Sequence, residues 1–348
     1  MRLPFALIDV LDKVADGAGI NKREASYLLG FDEHSIEASL IRAVANDVSR
    51  ERFGNCGVVQ GQIGVEIMPC PANCGFCVFG AKYKMFEPYV MPEEEILEKA
   101  LAFSETGRLS SLFIMTMHQF GFDRLVKTIE MLRHHILPEI EIVVNIGDFD
   151  RKQGEELKAV GVNGAYHVLR LREGIDTNLD PEKRVKTLGV IKDVGLDLHY
   201  CCEPLGPEHS NEEIVEQMFR GIEYECAEHA AMKRVWVEQL PLARFGQITE
   251  LRLAQVVAVV TLASVNNPAL KHIAVHEPNK IGLTSGANTV YAESGSNPRD
   301  CDAETETCRG RTVDDCVEML FDSGFSSLLY GNGCVGSLTH EVCQHLQI

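Results

Sequence analysis

Cys70-Pro-Ala-Asn-Cys74-Gly-Phe-Cys77 sets three thiols on one short stretch of chain. Three thiolates on a tight loop can each hold one iron of a [4Fe–4S] cube, because such clusters are bound by Cys sulfur at short spacing. A cube has four irons, so a triad leaves one corner for a ligand from outside the chain. Asn73 and Gly75 suit a backbone that must fold around a cluster, and Phe76 is placed to cover it from water. The alternative is a zinc site, or thiols with no common role. Zinc takes a fourth ligand and commonly a second Cys-x-x-Cys pair, and none lies nearby. The triad therefore marks Cys70, Cys74 and Cys77 as metal ligands and as the catalytic core.

A triad of this kind needs a rigid frame. The apolar stripe Ile36, Leu40, Ile41, Val44 and Val48 makes the leader, residues 1–60, helical. Beyond it, short apolar runs alternate with amphipathic stretches. The expected strands are Ile63–Met68, Leu112–Met117, Ile140–Ile146, Gly164–Leu169, Leu196–Cys201, Val235–Leu240, Ile273–His276 and Thr289–Ala292. Helical patterns such as Pro92–Glu105, Phe122–His134, Pro181–Val194, Asn211–Ala227 and Ile248–Ser264 lie between them. This predicts an α/β fold, a (β/α)8 TIM-type barrel over residues 61–294, with a Cys-rich extension over 295–348. The triad then follows the first strand, at the C-terminal rim where such barrels keep their chemistry.

Composition bounds the setting. The chain has 348 residues, a net charge of −18 and twelve cysteines. That acidity argues against nucleic acid or an anionic membrane as partner. The run from Leu253 to Val265 is too short to span a bilayer, and the N-terminus carries Asp9 and Asp12 where a signal peptide needs apolar residues. A cytoplasmic protein is expected, with its cysteines used for metal or redox chemistry rather than for disulfides.

Cys-x3-Cys-x-aromatic-Cys after the first barrel strand resembles the signature of radical S-adenosylmethionine (SAM) enzymes. The helical leader, the strand count and the tail are similar to the biotin synthase-like group, which includes biotin synthase, two-component lipoyl synthase, a hydrogenase maturase and methylornithine synthase. Gly195-Leu-Asp-Leu-His-Tyr-Cys-Cys-Glu-Pro-Leu-Gly206 looks like the group's fifth strand and its following turn, and Gly286-Ala-Asn288 like its late turn. The resemblance implies a SAM-binding [4Fe–4S] cluster. One electron then cleaves SAM to a 5′-deoxyadenosyl radical, which takes a hydrogen atom from an unactivated carbon. It also implies an electron donor such as ferredoxin or flavodoxin, a small-molecule or carrier-bound acyl substrate, and a possible second radical SAM partner.

In related enzymes the end of strand four supplies polar contacts to SAM; here that stretch offers Arg170, Glu173 and Asp176, unless it is only a salt-bridged rim. Gly206 is expected beside the adenine. Many relatives place a glycine-rich acidic motif after strand two, where this chain has Met115-Thr116-Met117-His118, leaving backbone carbonyls and Thr116 as the candidates for the SAM amino group. Biotin synthase holds a second cluster inside its barrel through cysteines on strands two, three and five; the corresponding places here are Ile114, Val144 or Asn145, and about His199. The tail offers Cys301, Cys308 and Cys316 instead, candidates for an auxiliary [4Fe–4S] cluster if they are not merely structural thiols. Of the adjacent pair Cys201 and Cys202, at most one faces the cavity. The expected function is sulfur insertion into an aliphatic chain, as in lipoyl synthase. The alternatives are carbon-skeleton or C–C bond chemistry, or a non-catalytic iron–sulfur protein.

Overall fold

The first barrel strand starts inside the expected leader. Strand β1 (Cys56–Gly64) carries Gln60 and Gln62 among its apolar residues, and both amides are buried within the barrel, which blurs the apolar signal. The computed structural model describes residues 3–277, 279–295, 310–331 and 333–339. After β1 come β2 (Ser111–Met115), β3 (Glu141–Asn145), β4 (Gly164–Tyr166), β5 (Asp197–Leu205), β6 (Glu228–Lys233), β7 (His272–His276) and β8 (Thr289–Gly295). Each pairs in parallel with the next. Pairing of β8 with β1, from Val58↔Thr289 to Gly64↔Gly295, closes the eight into a barrel. The expected (β/α)8 architecture is the one observed.

One strand is displaced. Val235–Leu240 alternates as a strand would, yet it forms no strand, and β6 lies upstream at Glu228-His-Ala-Ala-Met-Lys233. Its glutamate and alanines carry little β propensity, and the strand forms because it is sandwiched between β5 and β7.

Helices α4 (Glu93–Glu105), α5 (Phe122–His135), α6 (Arg151–Ala159), α7 (Pro181–Val194), α8 (Asn211–Glu223), α9 (Glu250–Ala263) and the short α10 (Lys280–Leu283) follow successive strands. Local chemistry starts several of them. Asp150 and Ser210 form capping boxes with Gln153 and Glu213, and Asp180 caps a helix opened by Pro181. Helix α9 is buried from Leu253 to Ala263, because leader helices α1 (Phe5–Ala15), α2 (Lys22–Leu29) and α3 (Ile36–Arg52) add a layer outside the shell. Gln255 of α9 donates to Leu28 O and Phe31 O at 3.1 and 3.0 Å, which locks that layer in place. Past the barrel, α11 (Val313–Asp322) packs on β1 and β8. Strand β9 (Ser327–Leu329) then pairs with Cys56–Val58 of β1, and β10 (Val335–Ser337) runs antiparallel to it. Among the described residues, no helix is long and apolar enough to cross a membrane.

The barrel has a floor. Phe113 of β2 meets the rings of His199 and Tyr291 edge-on, at centroid distances of 5.1 and 5.7 Å. Tyr291 donates to the buried carboxylate of Glu228, which lies 3.5 Å from His199 Nδ1. This cluster packs across the barrel interior, and none of Phe113, His199, Glu228 and Tyr291 lines the cavity at the rim. Phe113→Ala should therefore remove about 3–5 kcal/mol of stability, read from equilibrium guanidinium unfolding, and leave the circular dichroism of the barrel unchanged.

Candidate active site

Residues 70–81 have almost no regular structure, so their shape comes from outside. The N–H of Cys70 donates to Phe79 O at 2.7 Å, and the N–H of Ala81 to Cys70 O at 2.9 Å, which closes the loop on itself. The segment after β4 clamps it: Gly75 N–H donates to Asp176 O at 2.8 Å, and Asn178 N–H to Ala72 O at 2.7 Å. Two further ties come from Leu242 N–H to Gly75 O (3.2 Å) and from Gln119 Nε2 to Pro69 O (3.0 Å). Asn73 sits in the left-handed region at φ 46°, a conformation that Asn tolerates, and its Oδ1 accepts from Lys82 N–H at 3.0 Å. A Cβ on Gly75 would meet Leu242 at 3.2 Å, so glycine is there for close approach.

Held this way, Cys70, Cys74, Cys77 and Phe76 line one cavity of about 290 Å³ that runs into the barrel mouth. Its walls include Gln62, Glu66, Met115, Thr116, His118, Asn145, Tyr166, Arg170, Arg184, Glu203, Met232, Arg234 and His276. Burial pushes the Cys74 thiol up to about 12, only partly opposed by the charge of Arg170. A thiolate there needs a cation beside it, and bound iron supplies one. Among the described residues, no three His, Cys, Asp or Glu side chains are set around a single metal ion. The donor set, three thiols of one loop opening on one cavity, fits a cluster that takes each ligand at a separate corner.

Arg170 joins the loop to the barrel wall. Its Nε lies 2.9 Å from Glu203 Oε1, and its Nη1 lies 4.0 Å from Glu173 Oε2. Burial alone would lower its affinity for the proton, but Glu203 and Glu173 outweigh that and keep it firmly charged. Glu203 also accepts from Tyr166 Oη at 2.7 Å. Arg184 donates to Asp148 Oδ1 and Val168 O at 3.1 and 3.0 Å. Burial pushes the Glu66 carboxyl up, against a hydrogen bond from the Met117 backbone and the charge of Arg124.

The other sequence-predicted residues fall in different settings. Thr116 lines the cavity, with its hydroxyl donating to Asn145 O at 2.7 Å. Glu173 does not line it: its oxygens accept from Arg170 N–H at 3.1 Å and Thr177 Oγ1 at 2.7 Å, so it holds the turn. Asp176 pairs its carboxylate with Arg172 Nε at 2.9 Å and serves the triad through its backbone carbonyl. Gly206 lines a separate surface pocket with His209, Thr249 and Arg252. A Cβ there would meet Glu208 at 2.4 Å and Arg234 at 2.5 Å, so glycine admits the Glu208–Arg234 pair.

Cys201 faces inward, within the field of Glu203 and Glu228 and bonded to Tyr166, while Cys202 lies on the outward face, as the strand alternation predicts. Cys316 is fully buried in the apolar seam of α11 with Val317 and Leu320, and it does not line the cavity; its packing is that of a core thiol. Cys301 and Cys308 lie outside the described residues. Glu203, Asn145 and Glu66 were not anticipated. Their only sequence signal is position: each is a polar residue in the last part of a barrel strand or just beyond it.

No protein-family model matches the chain. It is similar to the biotin synthase of Nitrosopumilus maritimus, 26% identical over 196 residues, covering 54% of this chain and 59% of that protein. It is also similar to the biotin synthase of Mycobacterium ulcerans, 25% identical over 199 residues, covering 53% and 54%. The match to that of Nocardioides sp. is longer, 22% identical over 351 residues, covering 91% and 84%. The matches thus span little more than half of the first two relatives. In fold it is similar to methylornithine synthase, with a TM-score of 0.77 at 17% identity, covering 91% of this chain and 96% of that one. A maturase of the [FeFe]-hydrogenase gives 0.78 at 15%, covering 93% and 76%.

Arg170 is the cation paired with the buried Glu203, and it shares the buried Glu173 with Arg184, each 4.0 Å from Glu173 Oε2. Arg170→Met should cost about 3–5 kcal/mol in guanidinium unfolding, and adding Glu203→Gln should recover part of that loss, because one stranded charge is then removed.

Proposed function

We propose that this chain, which sequence similarity and fold group with the radical SAM proteins of the biotin synthase-like kind, holds a [4Fe–4S] cluster through Cys70, Cys74 and Cys77 and binds SAM at the fourth iron. The observation that carries this reading is the placement of the three thiols: one loop, clamped by its neighbours, opening on one cavity at the C-terminal rim of the barrel. When bound and reduced, the pair supplies a hydrogen-abstracting organic radical, with the electron coming from a ferredoxin- or flavodoxin-like donor.

The chain's own residues bind, orient and exclude water. Arg170 commits Nε to Glu203 and presents the rest of its fork beside the triad, a geometry suited to a carboxylate. Phe76 lines the cavity beside the triad, and the Phe113–His199–Tyr291 cluster fills the barrel interior with buried rings. Substrate then occupies the space between, against Met115, Asn145, Tyr166 and Met232.

For the reaction downstream, sulfur insertion into an aliphatic carbon is supported by the biotin synthase similarity. Carbon-skeleton chemistry without sulfur is supported by a different observation. Gln62, Asn145, Tyr166, Glu203 and His276 set hydrogen-bonding groups among the apolar side chains of the wall, such as Met115, Ile146 and Met232, which allows a substrate with polar groups to be oriented there. Iron and sulfide analysis of anaerobically reconstituted protein separates the two: about eight irons per chain with a sulfur-bearing product for the first, about four for the second. Under dithionite the wild type should form 5′-deoxyadenosine, and Cys74→Ala should reduce that product to background in a chromatographic assay. Undiminished product from the variant would overturn the proposal.

A further inference from the structure

A second cavity, of about 300 Å³, lies where the loop between α2 and α3 meets the turn after β5 and the start of α9. Leu205, Ile214, Ile248 and Val256 give it an apolar wall. Three polar side chains that line it are incompletely used. Arg252 donates from Nη1 to Leu29 O at 2.8 Å and to Gln255 Oε1 at 2.7 Å, and from Nη2 to Asn211 Oδ1, all uncharged acceptors. That takes three of the five N–H groups of its fork. The carboxylate whose charge reaches Arg252 is that of Glu33, without an ion pair between them. Glu33 Oε1 accepts from the Thr249 hydroxyl, and its Oε2 has no partner among the described residues.

His209 is the third, and only 8% exposed. Its Nδ1 accepts from Gly206 N–H at 3.0 Å, so the neutral ring carries its proton on Nε2. Burial pushes this imidazole below its ordinary range, which keeps it neutral at pH 7. The Nε2–H finds no acceptor within hydrogen-bond distance among the described residues: Glu208 Oε1 is 3.8 Å away and is held by Arg234. A buried donor left unmet costs about 1–3 kcal/mol, so this one is suited to an acceptor from outside the chain.

An anion alone would meet the repulsion of Glu33, and a cation alone that of Arg252; a zwitterion satisfies both. We infer that this pocket binds a free α-amino acid with an aliphatic side chain. The carboxylate meets Arg252 and the His209 Nε2–H, the ammonium meets Glu33, and the side chain lies on the apolar wall. The volume is at the small end for ligand sites, which suits a molecule of leucine's size. The inference stands independently of the function proposed above, although Gly206 and the Glu208–Arg234 pair form the partition between this pocket and the cavity at the rim.

Equilibrium dialysis of radiolabelled L-leucine against the full-length, anaerobically reconstituted protein tests it, with SAM in excess so that an open iron does not capture the amino acid. One saturable site is expected. Ile248→Trp, which fills the pocket, should abolish it, and Glu33→Gln should weaken it by about tenfold or more. On the wild type, N-acetyl-L-leucine and L-leucinamide, each lacking one charge, should compete about tenfold less well than L-leucine itself. That competition needs no variant, so it decides the matter even if Ile248→Trp fails to fold. No saturable leucine binding up to about 10 mM would mean that solvent alone fills the pocket, and would overturn the inference. Leucine binding unchanged in Glu33→Gln or in a folded Ile248→Trp, or competition by N-acetyl-L-leucine or L-leucinamide equal to that of leucine, would overturn it as well.

Discussion

Irregular backbone holds three thiolates around a cluster only if other segments fix that backbone. Here the fixing is done chiefly by the turn after β4. Asp176 O and the Asn178 N–H bind the loop at Gly75 and Ala72, and the same turn carries Arg170 into the cavity wall. Glu173 ties the turn to itself through Arg170 N–H and Thr177, and Asp176 stiffens it through Arg172. A change of barrel register at β4 would thus move the triad and its basic neighbour together. That shared mounting is why the rim of a rigid barrel, and not an independent loop, is the place for this chemistry.

The interior is unusual in being charged. Barrels of this kind are commonly filled by branched apolar residues, yet Gln60, His199, Glu228, His272, Tyr291 and Glu293 are all buried here. Burial lowers His272 to about 4, so it is neutral at physiological pH, while His199 and the hydrogen bond from Tyr291 outweigh burial and hold the Glu228 carboxyl below its ordinary value. A polar interior costs stability, and it specifies which molecules enter. The layers of shell and leader helices outside the barrel, with α9 buried along most of its length, offset that cost by apolar packing.

Much of this was legible from residues alone. The alternation of apolar runs with amphipathic stretches named the barrel, and the spacing of Cys70, Cys74 and Cys77 singled out three thiols that the fold gathers on one cavity. What escaped was set by tertiary context. Strand β6 was missed because Glu228 and its alanines are strand residues only between β5 and β7. Acids near a basic residue look alike in sequence, and only the fold shows that Glu173 and Asp176 bond within the turn after β4 and that Gly206 lies against the Glu208–Arg234 pair. Glu66 lies within the expected first strand, where a lone glutamate reads as solvent-facing until the surrounding barrel wall buries it.

All of this turns on one iron having no side-chain ligand and taking SAM in its place. Mössbauer spectroscopy of ⁵⁷Fe-reconstituted protein, before and after adding SAM, tests that claim most directly. One iron site in four should change its isomer shift and quadrupole splitting on addition while the other three stay as they were. Four sites that ignore SAM, or a loop occupied by zinc with no iron signal at all, would contradict it.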